Sequence, residues 1–386
     1  MFSIKSHAHH LYVNYLHHKE LDDLYISVFL KYLADSFVGV FIPIFFLISG
    51  LGIRDIALFA LVHYFFIMIF MTPFNQLCAR IGVKKVMAFG TIMFIVTYFF
   101  LNMVSTGFPY LVAAFFSGIA SAAYWGAFHM DFTKAATNNK EGKNLSVLKI
   151  IAIATAALGP LIGSYLIELT SFTFVFTLAS VILFVSTLPL FLTPDFKVKK
   201  EKVTIKKVMK ADSFANCLAY QVQGATFGVA IYFWPAFIYL ALNSILSLGK
   251  IFSLTSLLTI FLIAAIGKFV DKNNKKALKV GVYTQFPLWI LRIFMVFPIG
   301  FFLINFFDGL SRSVVGMSID KVVYHKAEHR RNLITYFTFR EYSLGIGRII
   351  IFAIALLINN LQAIFVICGC LSLLYLFLVK KMKNTN

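Results

Sequence analysis

Residues 251–276 read IFSLTSLLTIFLIAAIGKFVDKNNKK, a long apolar run followed directly by a lysine-rich loop. The same alternation of apolar block and charged loop repeats along the chain. The blocks are roughly 20 residues long, the length at which a helix crosses a hydrocarbon core of ~30 Å. A helix satisfies its backbone hydrogen bonds within one segment, as lipid requires. The pattern therefore predicts an all-α polytopic membrane protein.

The composition supports this fold class. Of the 386 residues 60% are hydrophobic and 13% are charged, whereas a soluble domain carries about 25% charged residues. The net charge of +19 would indicate a nucleic-acid partner on a soluble protein. Here the lysines and arginines lie in short loops, which is typical of contact with anionic lipid headgroups. We therefore expect membrane lipids as partners, and no nucleic acid.

Apolar blocks between charged or Gly/Pro-containing segments predict about twelve transmembrane helices. The boundary between the ninth and tenth is the least distinct, because the turn around Arg292 and Pro298 is itself apolar. The predicted helices are Ser27–Ser49, Ile56–Leu77, Lys85–Val104, Pro109–Phe132, Ser146–Glu168, Phe172–Leu192, Ser213–Tyr239, Ser244–Val270, Ala277–Leu291, Phe297–Asp320, Leu333–Asn359 and Gln362–Val379.

Basic residues concentrate in alternate loops, so the positive-inside rule places both termini and the long linker in the cytoplasm, with the chain in the cell membrane. The lysine-rich linker is either an amphipathic helix on the inner leaflet or a solvated connector. The expected segments are an N-terminal arm (1–24), a six-helix bundle (25–192), the linker (193–212), a second six-helix bundle (213–380) and a tail (381–386).

Three matches between the halves predict pseudo-symmetry. The segment FIPIF at Phe41 resembles FWPAF at Phe233, and NQLCARIGVKK at Asn75 resembles GKFVDKNNKK at Gly267. Asn-Leu pairs at Asn144 and Asn332 both precede a fifth span of their half.

With these repeats, the whole chain resembles the major facilitator superfamily, whose members have six spans, a basic linker and six further spans. The family's loop signature, G-x-x-x-D-[RK]-x-G-[RK]-[RK], is similar to Gly267, Asp271 and Lys272 with their following lysines. In the first-half copy Ala79 replaces the acidic residue, and Arg80 and Gly82 remain. The resemblance implies a cytoplasmic latch in which an acidic residue caps a neighbouring helix. Asp131 is a candidate replacement for the missing acid.

The fifth predicted span contains Gly159, Pro160 and Gly163, part of an element seen in proton-coupled drug exporters of the family. The alternative is a Gly/Pro segment that allows close helix packing.

Charged residues inside spans are costly and indicate function. Asp35 lies near the membrane midplane, where it is either a titratable carboxylate facing a central cavity or the partner of Lys31 one turn earlier. Asp308 and Arg312 present the same two alternatives.

The eleventh span carries a dense charged cluster, Arg340, Glu341 and Arg348, which is predicted to bind or couple substrate, or else to form a static salt bridge. We expect the cavity wall to include Tyr124, Trp125, His129, Gln221 and Gln223. His63 is expected to have a packing role.

The chain contains no Walker A loop, HExxH or GxSxG motif, so neither ATP drive nor hydrolysis is expected. We expect a monomeric secondary transporter of a small solute, not an enzyme, that works by alternating access with proton coupling and without a cofactor. Alternatives are a transport-inactive receptor or scaffold, and an organic-anion facilitator. Asp35 favours a cationic substrate and the arginines an anionic one. The N-terminal histidines His7, His9, His10, His17 and His18 lack a carboxylate or cysteine framework, so no metal site is expected.

Overall fold

A computed structural model describes residues 2–135, 141–328 and 332–382, with side chains from residue 19 onward apart from 141–143, 145 and 328. The described chain is helical and contains no strand. The helices are α1 (Phe2–Val38), α2 (Ile42–Ile48), α3 (Ile53–Ile81), α4 (Val83–Asn102), α5 (Tyr110–Ala135), α6 (Glu141–Leu169), α7 (Phe172–Ser186), α8 (Ile205–Met209), α9 (Phe214–Leu242), α10 (Ile245–Lys272), α11 (Asn274–Leu291), α12 (Pro298–Glu328), α13 (Leu333–Ile358), α14 (Leu361–Ser372) and α15 (Tyr375–Lys381).

Eleven segments of the described chain are long and apolar enough to cross a membrane. The helix α11 stands between two of them and completes the predicted twelve. It is less apolar than the other helices because its first turns carry Lys275, Lys276 and Lys279. The predicted polytopic all-α fold is confirmed.

The first span differs from the prediction at its start and in its interior, whereas its end at Ile48 is one residue from the predicted Ser49. The predicted start at Ser27 is too late, because α1 runs without interruption from Phe2. A 3-10 turn at Gly39–Phe41 then separates α1 from α2, which has Pro43 in its first turn. The matching proline of the second half, Pro235, lies inside the uninterrupted helix α9.

The linker does not form the amphipathic helix that was one of the two predictions. Residues 194–204 have no regular structure, and only the five residues Ile205–Met209 are helical. Val208 is buried, whereas Met209 is exposed. The linker is therefore mostly an irregular connector that lies along the ends of other helices.

The glycines of α6 let it approach α1 closely. A Cβ on Gly159 would lie 2.3 Å from Ser36 Cβ, and one on Gly163 would lie 2.5 Å from the Phe37 carbonyl oxygen. On the opposite face of α6, a Cβ on Gly249 of α10 would lie 2.6 Å from the Pro160 carbonyl oxygen. The backbone N–H of Leu161 also donates to Ser253 Oγ at 2.8 Å. These contacts fix α6 between α1 of its own half and α10 of the other half.

Candidate functional site

A cavity of about 500 Å³ lies between the two halves. Its wall carries side chains of α1 to α6 from the first half and of α9, α11, α12, α13 and α15 from the second. Its charged lining residues are Lys31, Asp35, Lys149, Arg312, Asp320, Arg340, Glu341 and Arg348. The volume is within the range of small-molecule sites, roughly 300–1,000 Å³.

The predicted pair of α1 is formed. Lys31 Nζ, on a side chain that is 1% exposed, pairs with Asp35, which is 35% exposed. The hydroxyl of Tyr98 donates to the other carboxylate oxygen of Asp35 at 3.4 Å. The ammonium group also lies 4.4 Å from the ring centroid of Tyr124 and 5.3 Å from that of Trp125. Ring faces attract cations, so Lys31 is held by both a carboxylate and an aromatic surface.

A charged cluster joins the first half to the second across the cavity. The Nδ1 atom of His129 lies 2.8 Å from the hydroxyl of Tyr324, and its Nε2 atom lies 3.1 Å from Arg340 Nη1. A guanidinium can only donate hydrogen bonds, so Nε2 must accept. The ring is therefore neutral, with its proton on Nδ1, from which it donates to Tyr324.

Carboxylates complete this cluster. Glu341 pairs with Arg340, and one of its oxygens lies 3.7 Å from His129 Nε2. Asp320 of α12 lies 3.7 Å from Arg340 Nη2 and 2.8 Å from Lys149 Nζ of α6. We name Lys149, Asp320, Tyr324, Arg340, Glu341 and His129 the cross-half cluster.

Three members of the cross-half cluster were not predicted from the sequence, namely Lys149, Asp320 and Tyr324. The tenth span was predicted to end at Asp320, whereas α12 continues to Glu328. Asp320 and Tyr324 therefore lie inside a helix instead of at its end. Their partners are distant in sequence, so no local spacing indicates the pairing.

Asp308 does not line the cavity, and it forms the ion pair with Arg312 that was the second of its two alternatives. It is fully buried behind the wall, where its carboxylate lies 2.6 Å from Arg292 Nη2 and 2.8 Å from Arg312 Nε. Arg292, which the sequence analysis had placed in a turn, lies 3.7 Å from the ring centroid of Trp289. Two arginines thus pack on one buried carboxylate. Of these three residues, Arg312 is the one that lines the cavity.

Two other predicted wall residues also lie outside the lining. Tyr124 lies behind it with its ring on Lys31, and Gln221 contacts Cys217 at 3.6 Å. Trp125 and Gln223 line the cavity as predicted. His63 lines it too, and its Nδ1 has no hydrogen-bond partner among the described residues, so it is not the fully satisfied packing residue that was expected.

Arg348 differs from the other charged residues that line the cavity. Within the described chain it forms no ion pair, and its Nε atom has no hydrogen-bond partner. Its guanidinium lies 4.8 Å from the ring centroid of Tyr64.

At the linker end of the bundle, two linker carboxylates cap helices. Asp195 accepts from the backbone N–H of Lys84 at 2.9 Å, at the start of α4. Glu201 accepts from the backbone N–H groups of Ile334 and Thr335 at 3.2 and 3.1 Å, at the start of α13. Gly82 has φ +117°, and a Cβ there would lie 2.0 Å from Asp195 Oδ2. Only glycine therefore permits the first of these caps.

The other predicted latch residues do not bridge the halves. Asp271 pairs with Lys321 of its own half at 2.8 Å, and both are exposed. Asp131 is buried without a hydrogen-bond partner in the described chain. Arg80 and Lys272 are exposed, and a Cβ on Gly267 would make ordinary contacts. No group of three metal-binding side chains occurs among those described, and the N-terminal histidine side chains lie outside them.

A sequence model of the Major Facilitator Superfamily matches residues 24–338. The chain belongs to this superfamily. It is 22% identical over 232 residues to the uncharacterized MFS-type transporter MJ1560 of Methanocaldococcus jannaschii, an alignment covering 57% of this chain. The chain spans about 60% of the length of that relative.

Among solved structures this superfamily member resembles the human organic anion transporter MFSD10 (TETRAN). The TM-score is 0.66 with 14% sequence identity, and the similarity covers 94% of this chain and 99% of the other. This similarity establishes the fold. The chain is thus a multi-pass membrane protein with the superfamily's architecture.

Proposed function

We propose that this protein is a secondary active transporter that moves a small solute by alternating access and couples its movement to protons. The proposal includes action as a monomer in the cell membrane, with both termini and the linker cytoplasmic. The observation that carries it is the cross-half cluster, which places ionisable groups of both halves around one cavity. Charged groups at membrane depth are kept only where protein or an aqueous path shelters them, and they mark the pathways of ions and substrates.

The tautomer of His129 supports proton coupling. A proton added at Nε2 would face the guanidinium of Arg340, which removes the hydrogen bond that joins α5 to α13. The new N–H would instead be attracted to Glu341, whose oxygen is 3.7 Å away. Protonation therefore changes the contact between the halves, which is the coupling that a proton-driven transporter needs.

The latch of this proposal is formed by the linker. Asp195 and Glu201 tie α4 of the first half and α13 of the second to one short segment. Glu201 supplies the acidic cap that the loop signature lacks at Ala79. Rocking of the halves must strain or release one of these caps, so the linker favours the arrangement in which both are made.

The test uses the purified chain in liposomes that contain a pH-sensitive dye. A broad panel of organic solutes is added outside, and proton flux is measured with wild type and His129→Gln. We expect at least one solute to drive proton flux in wild type, and H129Q to fall to the level of protein-free liposomes, because glutamine cannot take up the proton.

The control is Lys279→Gln, an exposed substitution outside the cavity, which should match wild type. Full proton flux in H129Q would refute coupling through the cluster. A folded protein that neither binds nor moves any solute of the panel would refute transport.

A further inference from the structure

The cavity wall carries an excess of two positive charges, which remain at Arg312 and Arg348. Five basic and three acidic side chains line the cavity. Lys31 is paired with Asp35, while Lys149 and Arg340 are paired with Asp320 and Glu341. Arg312 pairs with Asp308 behind the wall, a carboxylate that it shares with Arg292. Within the described chain, Arg348 is therefore the only charged lining residue that lacks an oppositely charged partner.

The surroundings of Arg348 are aromatic. The rings of Tyr64 and Phe352 are stacked with centroids 5.8 Å apart, and Tyr232 lies 6.3 Å from Tyr64 and 5.8 Å from Phe352. These rings come from α3, α9 and α13, so both halves contribute. An aromatic or apolar body can pack on such rings while a polar end reaches the guanidinium.

A second polar group faces the same space. His63 is 7% exposed, lines the cavity, and has an Nδ1 atom without a partner in the described chain. Its ring centroid lies 4.7 Å from that of Tyr64, the ring that Arg348 also contacts. A buried polar atom without a hydrogen bond is costly unless a ligand supplies one. The Nδ1–H tautomer can donate to an oxygen atom that also pairs with Arg348.

We propose that Arg348 and His63 form the anion subsite of the cavity, and that its ligand is an organic monoanion, a carboxylate on an aromatic or apolar body. The biological role of this subsite rests on the proposed transport function, whereas the inference itself concerns ligand binding. A planar guanidinium matches a carboxylate in bidentate geometry. Arg348 is the one charged lining residue without an acidic partner in the described chain, so it can pair with one carboxylate, and cations are disfavoured.

The experiment measures binding to the detergent-purified full chain by ligand-induced thermal shift and by titration. The probes are 4-phenylbutyrate, benzoate and hexanoate as monoanions, 4-phenylbutyramide as the neutral match and 4-phenylbutylammonium as the cation. We expect stabilisation by a monoanion and none by its amide or by the cation. Arg348→Gln should raise the Kd of the monoanion by about tenfold or more, because a charge-assisted hydrogen bond is lost.

Arg348→Lys keeps the charge without the planar fork, so its Kd should lie between those of wild type and R348Q. His63→Gln should weaken binding less than R348Q does. Arg54→Gln, an exposed arginine outside the cavity, is the matched control and should bind as wild type does. If R348Q does not fold, the ordering of wild type, R348K, H63Q and R54Q still decides the question.

The inference is wrong if no monoanion stabilises wild type, if the cation or the amide binds equally well, or if R348Q and R348K bind as wild type does. If other solutes drive proton flux but no monoanion binds, the subsite is wrong and the proposed transport function stands. Monoanion binding without any solute flux would retain the subsite and overturn transport.

Discussion

At the scale of single residues, the charges of this protein fall into pairs that local spacing indicates and pairs that it does not. Lys31 with Asp35 and Asp308 with Arg312 are four residues apart on one helix, so the sequence predicts them. Arg292 joins the second pair from another element. Such a contact depends on tertiary packing, and a single sequence contains no local signal for it.

The Lys31–Asp35 pair makes a stability prediction. Asp35→Asn leaves the buried ammonium without a carboxylate, and removing one partner of a buried pair costs about 3–5 kcal/mol. We expect less, roughly 1–3 kcal/mol, because Asp35 is 35% exposed and its charge is partly screened. Thermal unfolding in detergent should show a lower Tm for D35N and a partial recovery in the double variant Lys31→Met/Asp35→Asn.

The exposed pair of Asp271 with Lys321 is the control, since surface pairs are worth at most about 1 kcal/mol. Asp271→Asn should leave the Tm nearly unchanged. The prediction is contradicted if D35N is as stable as wild type or if the double variant is less stable than D35N. Either result would show that the Lys31–Asp35 pair does not stabilise the fold.

At the scale of elements, apolar block length predicts the helices well and their ends poorly. Most of the predicted spans fall within a few residues of an observed helix. The errors at α1 and α12 have one cause, because polar residues that continue a helix beyond the membrane resemble a loop in sequence. The linker shows the converse, since lysines and scattered apolar residues suggested an amphipathic helix where the chain is irregular.

The linker caps make the prediction for this scale. Replacing Glu201 by Ala removes the acceptor for the N–H groups of Ile334 and Thr335, and loss of a helix cap costs about 0.5–2 kcal/mol. Hydrogen exchange followed by mass spectrometry should show faster exchange in peptides that begin α13, with the centre of α13 unchanged.

Lys199→Ala changes an exposed linker residue nearby and serves as the control. Equal exchange at the start of α13 in E201A and K199A would contradict the capping role, and with it the latch that we propose.

At the scale of the whole molecule, the cavity follows from the way two halves meet. Thr72 of α3 bonds Tyr342 of α13 at 2.7 Å, and Asn75 bonds Thr338 at 3.0 Å, on the linker side of the cavity. On the other side, Phe59 and Tyr232 join the halves with ring centroids 6.1 Å apart. The internal repeats predicted the two bundles, whereas the charges that meet between them became visible only in three dimensions.

Alternating access is tested most directly by two distances measured in the same protein. In a variant whose four native cysteines are replaced, spin labels are placed on exposed positions at the linker end, Lys85 and Lys276, and in a second sample at the opposite end, Ser105 and Asn243. Double electron–electron resonance in lipid nanodiscs then reports each distance with and without a solute that drives proton flux in liposomes. We predict that the two distances change in opposite directions by several ångströms when the solute is added, and that His129→Gln abolishes the change. Distances that stay constant, or that lengthen together, would contradict rocking of the halves about a proton-sensitive cavity.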